Sequence, residues 1–320
     1  MSFLSSLKLM LGAAPERPRA YTPAAQAMHE AKRQVKGAER AREIKAQHAA
    51  HSSHKWRNIR WATLIAVNLL FVLSYRFDVQ LAEGALTASR VVGFHFADLN
   101  SALQVMLAYK TILINLVIGT GTVLFMWWLL GGRSFCSWTC PYHLLAEIAE
   151  KIHVFLAARR MVVDYPLHRA TRSVLYVVFA LLALVSGYTV YESISPTGIV
   201  SRALIYGPGL AMIWVLGLLV YEIVFIRRMW CRYICPIGLT YGFVGAVSPV
   251  RVKYSLENCL HEGDCRKVCL VPHVLECTKK TYAEDVEVAI GADCTRCGLC
   301  VDACPTGSLR FDIKGLDKLL

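Results

Sequence analysis

Residues 294–305 read CTRCGLCVDACP, four cysteines spaced CxxCxxCxxxCP. At that spacing three thiolates hold one [4Fe-4S] cube, while the fourth, before the proline, reaches across to a second cube. One such run therefore requires a second set of ligands. Gly298, Ala303 and Gly307 let backbone close on a bulky cluster, where N–H groups near sulfur tune its potential.

The second set lies just upstream. Cys259, Cys265, Cys269 and Cys277 follow in order, with five, three and seven residues between them. Crossover logic assigns Cys259, Cys265 and Cys269 with Cys304 to one cluster, and Cys294, Cys297 and Cys300 with Cys277 to the other. The HEGD insertion after Leu260 and the lack of proline directly after Cys277 set this upstream run apart. Structural zinc is the alternative for paired CxxC units, but zinc needs only four thiolates and no CxxxCP tail. Residues 251–320 thus read as a 2[4Fe-4S] ferredoxin-like domain.

The chain has 320 residues, 55% of them hydrophobic, and a mean hydropathy of +0.42. That composition calls for membrane spans. Four are expected, near 61–75, 111–130, 173–191 and 209–226. The first reaches spanning length through snorkelling of Lys55, Arg57 and Arg60. The expected fold is an all-α membrane region of four helices over 56–250, in two parallel halves, followed by the ferredoxin-like domain.

Charge orients it. Residues 1–60 carry twelve Lys and Arg against four Glu, whereas residues 251–320 carry ten against eleven Asp and Glu. The basic arm, residues 1–55, fits a cytoplasmic segment near anionic headgroups rather than a nucleic-acid binder. Basic residues also crowd the connection after span two and the chain after span four, so both termini and both clusters are expected in the cytoplasm. No cleavable signal peptide is expected, because the first 50 residues lack an apolar core segment. Twelve cysteines on a reducing face are then ligands or redox groups rather than disulfides.

An internal repeat follows the second and fourth spans. RSFCSWTCP (133–141) and RMWCRYICP (228–236) share Arg, aromatic, Cys, aromatic and Cys-Pro positions 95 residues apart. Cysteines four apart lie one turn apart on a helix, so Cys136 with Cys140, and Cys231 with Cys235, should each face one way. Such pairs could ligate a metal or cluster, cycle between dithiol and disulfide, or pack as small apolar residues.

Other polar groups are fewer. The outer loop 76–110 holds an amphipathic stretch from Asp98, and His95 and Asp98 are candidate proton acceptors for a quinol; both could equally solvate the rim of an interfacial helix. Glu192 and Glu222 lie where ionisable groups cost energy, and Glu222 could pair with Arg227 or Arg228. His48, His51 and His54 could form a metal stripe, or simply the polar face of a solvated helix spanning 24–49. No CxxCH and no GxGxxG after a strand occur, so covalent haem and dinucleotide binding are not expected.

With SFCSWTCP, WCRYICPIGL and ADCTRCGLCVDACPTG together, residues 56–312 resemble the NapH family of membrane quinol dehydrogenase subunits, and also the membrane and ferredoxin part of NosR. The external stretch ISPTGIVSRALIYG (194–207) resembles that family too. The N-terminal flavin domain of NosR has no counterpart here. The resemblance implies a bacterial inner-membrane protein that takes electrons from quinol through two [4Fe-4S] clusters. It implies the quinone pool, a partner ferredoxin or c-type cytochrome subunit and a periplasmic nitrate- or nitrous-oxide-type reductase as partners. The competing expectation is an assembly or regulatory factor donating electrons for metal loading of a partner enzyme. A transporter fits poorly, since the spans carry few charges.

Overall fold

The computed structural model describes residues 3–34, 37–50, 53–79, 82–91 and 94–315. The elements run α1 (Phe3–Leu11), α2 (Pro23–Gln34), α3 (Gly37–Ala50), α4 (Lys55–Arg76), β1 (Ala82–Ala85), β2 (Ala88–Val91), β3 (Phe94–Ala97), α5 (Leu99–Tyr109) and α6 (Ile114–Leu130). They continue with α7 (Ser134–Trp138), α8 (Pro141–Ala158), α9 (Thr171–Ser186), α10 (Val190–Ile194), α11 (Pro196–Tyr206), α12 (Ala211–Val224) and a π-turn, Trp230–Ile234. The last part holds α13 (Pro236–Val247), β4 (Val250–Ser255), α14 (Asp264–Lys267), a 3₁₀ segment Pro272–Thr278, β5 (Glu287–Ala289), α15 (Leu299–Asp302) and β6 (Leu309–Ile313). Two compact units result. One gathers residues 1–60, 128–134 and 242–320, the other 61–127 and 135–241.

In the first unit β4 lies between β5 and β6 in an antiparallel sheet. Its inward residues Val252 and Tyr254, with Leu256, Leu275, Val288 and Leu309, form a core that includes Cys269, Cys277, Cys294, Cys297 and Cys300. The basic arm is more than a solvated tail. Helix α2 buries Ala25 in that core, and Lys32 donates from Nζ to the carbonyls of Leu256 and Cys259, each at 2.6 Å. Ala25 and Met28, three residues apart on α2, give the arm this docking face. His51 lies outside the described residues, and His48 pairs with Glu262 rather than joining a histidine stripe.

The second unit packs α5 to α12 around Trp127, Phe135, Tyr142, Tyr191, Trp230 and Tyr241. Helices occur at all four expected spans. Among the described residues only α4 is both long and apolar enough to cross a membrane; α6, α9 and α12 are apolar but have 17, 16 and 14 residues. At 1.5 Å per residue those fall short of a hydrocarbon core of about 30 Å. The outer loop also holds more structure than its sequence announces, because β1, β2 and β3 form an antiparallel sheet.

Helix α5 forms the amphipathic stretch that follows Asp98. It buries Asn100, Ser101, Ala102, Gln104 and Ala108 and leaves Tyr109 exposed. Small and polar residues thus form its inward face. Helix α11 buries Thr197, Gly198 and Ser201 together with Ile199, Val200 and Ile205, while Leu204 and Tyr206 are exposed.

Candidate functional site

Eight cysteines converge in the core of the first unit. Cys269, Cys294, Cys297 and Cys300 line one small cavity. Cys259, Cys265 and Cys304 line another, together with Tyr254, His261 and Thr278. Cys277 lies within electrostatic reach of Cys265 and Cys259, and Cys300 within reach of Cys269, Cys297 and Cys294. In the structure Cys269 thus lies beside Cys294, Cys297 and Cys300, and Cys277 on the side of Cys259 and Cys265. The physical reason is visible in the chain: Cys265 and Cys269 are separated by three residues, and Pro272 starts a new 3₁₀ segment soon after. Cys269 thus ends a CxxxC turn as Cys304 does, and ends of that kind reach across.

The surroundings suit such a cofactor. Burial pushes the Cys265 thiol up to about 11, Thr278 opposing, with Cys259 and Cys304 adding to the rise. Burial likewise raises Cys277, to about 12. A neutral thiol set at this density needs a bound cation to become thiolate, which is what iron supplies. The N–H of Arg296 donates to Cys294 Sγ at 3.4 Å, and that of His261 donates to Cys259 Sγ at 3.4 Å. Gly298 has φ of +76°, and a Cβ there would meet Trp56 at 2.5 Å, so only glycine fits the turn. Next to Cys294, buried Asp293 accepts from Arg133 Nη1 at 2.5 Å and contacts His273 Nε2 at 2.8 Å.

In the second unit the repeated motifs fold alike. The Cys140 N–H donates to Phe135 O at 3.3 Å and the Cys235 N–H to Trp230 O at 2.8 Å, a five-residue closure in each. Both cysteines are extended, at φ −67°, ψ 117° and φ −63°, ψ 111°. The two cysteines of a motif therefore do not share one continuous helical face. The residue before proline is driven out of the α region, so each second cysteine sits at the start of the next helix, α8 or α13. Cys140 Sγ contacts Thr197 Oγ1 at 3.3 Å, and Cys235 Sγ contacts Tyr191 OH at 3.3 Å.

His95 and Asp98 part company. Asp98 caps α5, accepting from the N–H groups of Asn100 at 3.0 Å and Ser101 at 3.2 Å, and also meets Tyr241. Burial holds its carboxyl above the usual range. His95 is exposed and lines a groove with Arg90, Phe96, Ile112 and Asn115. Glu192 accepts from the Ser101 hydroxyl. Glu222 accepts from the Trp230 backbone N–H at 2.9 Å, with Tyr142 in its electrostatic reach, while Arg228 pairs with Glu150.

Residues 112–160 and 207–254 match a family described as a 4Fe-4S binding domain, and residues 291–310 match a second family of the same description. The ferredoxin-type protein MauN of Paracoccus denitrificans, named for methylamine utilization, is 30% identical over 248 residues, covering 76% of this chain and 85% of MauN. The chain belongs to the NapH and MauN family of ferredoxin-type proteins. MauN of Methylorubrum extorquens is 29% identical over 82% of this chain and 91% of its own length. Ferredoxin-type protein NapH of Escherichia coli is 29% identical over 78% and 88%. No solved structure matches. As a member of this family the chain is an iron–sulfur electron-transfer protein of ferredoxin type.

Proposed function

We propose that this protein is a four-span inner-membrane subunit that oxidises quinol and delivers electrons through two [4Fe-4S] clusters toward a periplasmic redox enzyme. The observation that carries the iron–sulfur part is the sorting of eight thiols into two sets. Cys269, Cys294, Cys297 and Cys300 would hold one cluster, and Cys259, Cys265, Cys277 and Cys304 the other. When bound, such clusters accept and release single electrons.

The membrane reading is supported by what the second unit turns outward. Ile118, Phe125, Val185, Leu210 and Ile213 are between 59% and 87% exposed. Combined with the small and polar inward face of α5, this suits a lipid surround. Helices α5 and α11, from the loops expected outside, bring Tyr241 to Asp98 and Thr197 to Cys140. They would dip inward as re-entrant helices, which tolerates irregular backbone because protein buries it. That shortens the distance an electron must cover between the two faces.

A quinol would enter the His95 groove, whose Ile112, Leu113 and Ile114 wall is largely exposed and apolar. His95 would accept a proton at its ring, and Asp98 would position α5 rather than meet the quinol. A second reading, an electron donor for metal loading of a partner enzyme, is favoured by the approach of the repeat thiols to one another.

The test is EPR on anaerobic full-length protein before and after addition of reduced quinol. Cluster signals should rise with quinol, and His95→Ala should lose that response while dithionite still reduces the clusters. If dithionite reduces the clusters and quinol never does, with partner subunits present, the metal-loading reading replaces this one.

A further inference from the structure

The two larger 4Fe-4S matches pose a problem of stoichiometry. Residues 112–160 contain only Cys136 and Cys140, and residues 207–254 only Cys231 and Cys235. Both [2Fe-2S] and [4Fe-4S] clusters need four cysteine ligands, so neither match is sufficient alone.

The second unit joins them. Cys140 and Cys235 are buried in one apolar core, and Cys136 and Cys231 pack against the same core. Cys140 lies within electrostatic reach of Cys235, and Cys231 within reach of both. Each motif presents its second cysteine through the same five-residue closure followed by proline, so the repeat supplies two matching halves. None of the four is in a disulfide.

The spacing favours a cluster over a single ion. Around one tetrahedral zinc, with Zn–S near 2.3 Å, sulfurs stand about 3.8 Å apart. Among the described residues the only trio of ligand atoms all within 4.8 Å is His48, Glu262 and Asp264. No three of the described repeat thiols stand within 4.8 Å of one another, and the same holds of the ferredoxin thiols. Hydrogen-bonding groups also surround them. Tyr191 OH reaches Cys235 and Thr197 Oγ1 reaches Cys140, while Trp230, 2% exposed, stacks on Tyr191 and has no hydrogen-bond partner for its indole N–H. Donors of this kind tune a sulfur-ligated centre.

We propose that Cys136, Cys140, Cys231 and Cys235 together hold one additional iron–sulfur cluster, shared between the two repeats. It rests on the iron–sulfur reading of the chain and is independent of quinol as the electron donor.

The experiment is iron and acid-labile sulfide per chain, with Mössbauer spectra, on anaerobically purified full-length protein. Two ferredoxin cubes account for about eight irons. The wild type should carry about two more for a [2Fe-2S] centre or about four more for a third cube. Cys140→Ser with Cys235→Ser should remove that excess and retain both ferredoxin EPR signals, whereas Cys297→Ser with Cys300→Ser should retain the excess and remove the signal of the one ferredoxin cluster that those two thiols serve. A wild-type count of about eight, with or without another metal at the repeat thiols, overturns the proposal and needs no variant to fold. Quinol-dependent reduction of the ferredoxin signals is read separately and can succeed or fail on its own.

Discussion

At the scale of single residues, Cys269 is the most informative position. Spacing alone groups it with Cys259 and Cys265, whereas the folded chain brings it to Cys294, Cys297 and Cys300. We expect Cys269→Ser and Cys297→Ser to abolish the same EPR signal, and Cys277→Ser to abolish the other. Loss of the same signal in Cys277→Ser and Cys297→Ser would restore the grouping by spacing. Asp98 offers a second residue-scale prediction. As the N-cap of α5 it should cost about 1 kcal/mol on replacement by Ala and much less by Asn, read as thermal stability in detergent. A quinol-site role at Asp98 would instead abolish quinol reduction in the Asn variant.

At the scale of elements, close packing sets the tolerances. Gly119 on α6 faces the β3 backbone, and an added Cβ would fall 2.6 Å from the His95 carbonyl oxygen. Gly119→Ala should therefore push β3 off α6 and weaken the quinol response by disturbing the groove, while ferredoxin signals persist. Unchanged quinol titration in that variant would count against the groove. Helices α8 and α12 are close neighbours, and Glu150 on α8 pairs with Arg228, which is 1% exposed. Burial raises the Glu150 carboxyl, but Arg228 and Arg232 outweigh it, and its pKa falls below the ordinary 4.5. A depressed carboxylate stabilises the fold above its unfolded pKa and loses that contribution as pH falls through the folded value. Thermal stability should accordingly decline in acid for the wild type. Glu150→Gln, which leaves a buried guanidinium without its charge partner, should be less stable by about 3–5 kcal/mol at neutral pH and lack that part of the acid dependence.

At the scale of the whole molecule, the first unit sets five buried cysteines within an otherwise largely aliphatic core. Taking iron away should unfold it, because ligand binding and folding share one free energy. Oxygen and chelator should make residues 242–315 protease-sensitive before the aromatic core of the second unit. Simultaneous digestion of both units would show that iron is not what holds the first one.

The sequence by itself determined the cysteine inventory, the repeat of the Cys-Pro motifs, the four apolar helices and the ferredoxin character, because each is written in local spacing and composition. The spacing of each cysteine pair instead predicted one shared helical face, whereas the residue before proline is extended in both motifs. Only the tertiary structure decided which thiols meet, that Asp98 caps a helix while His95 lines a groove, and that α5 turns a small and polar face inward. Those outcomes depend on contacts between residues far apart in the chain, such as Cys140 with Thr197 and Cys269 with Cys300. Spacing along the backbone fixes what a segment can be; the partner that a side chain meets is fixed by packing, where burial and hydrogen bonding are settled together.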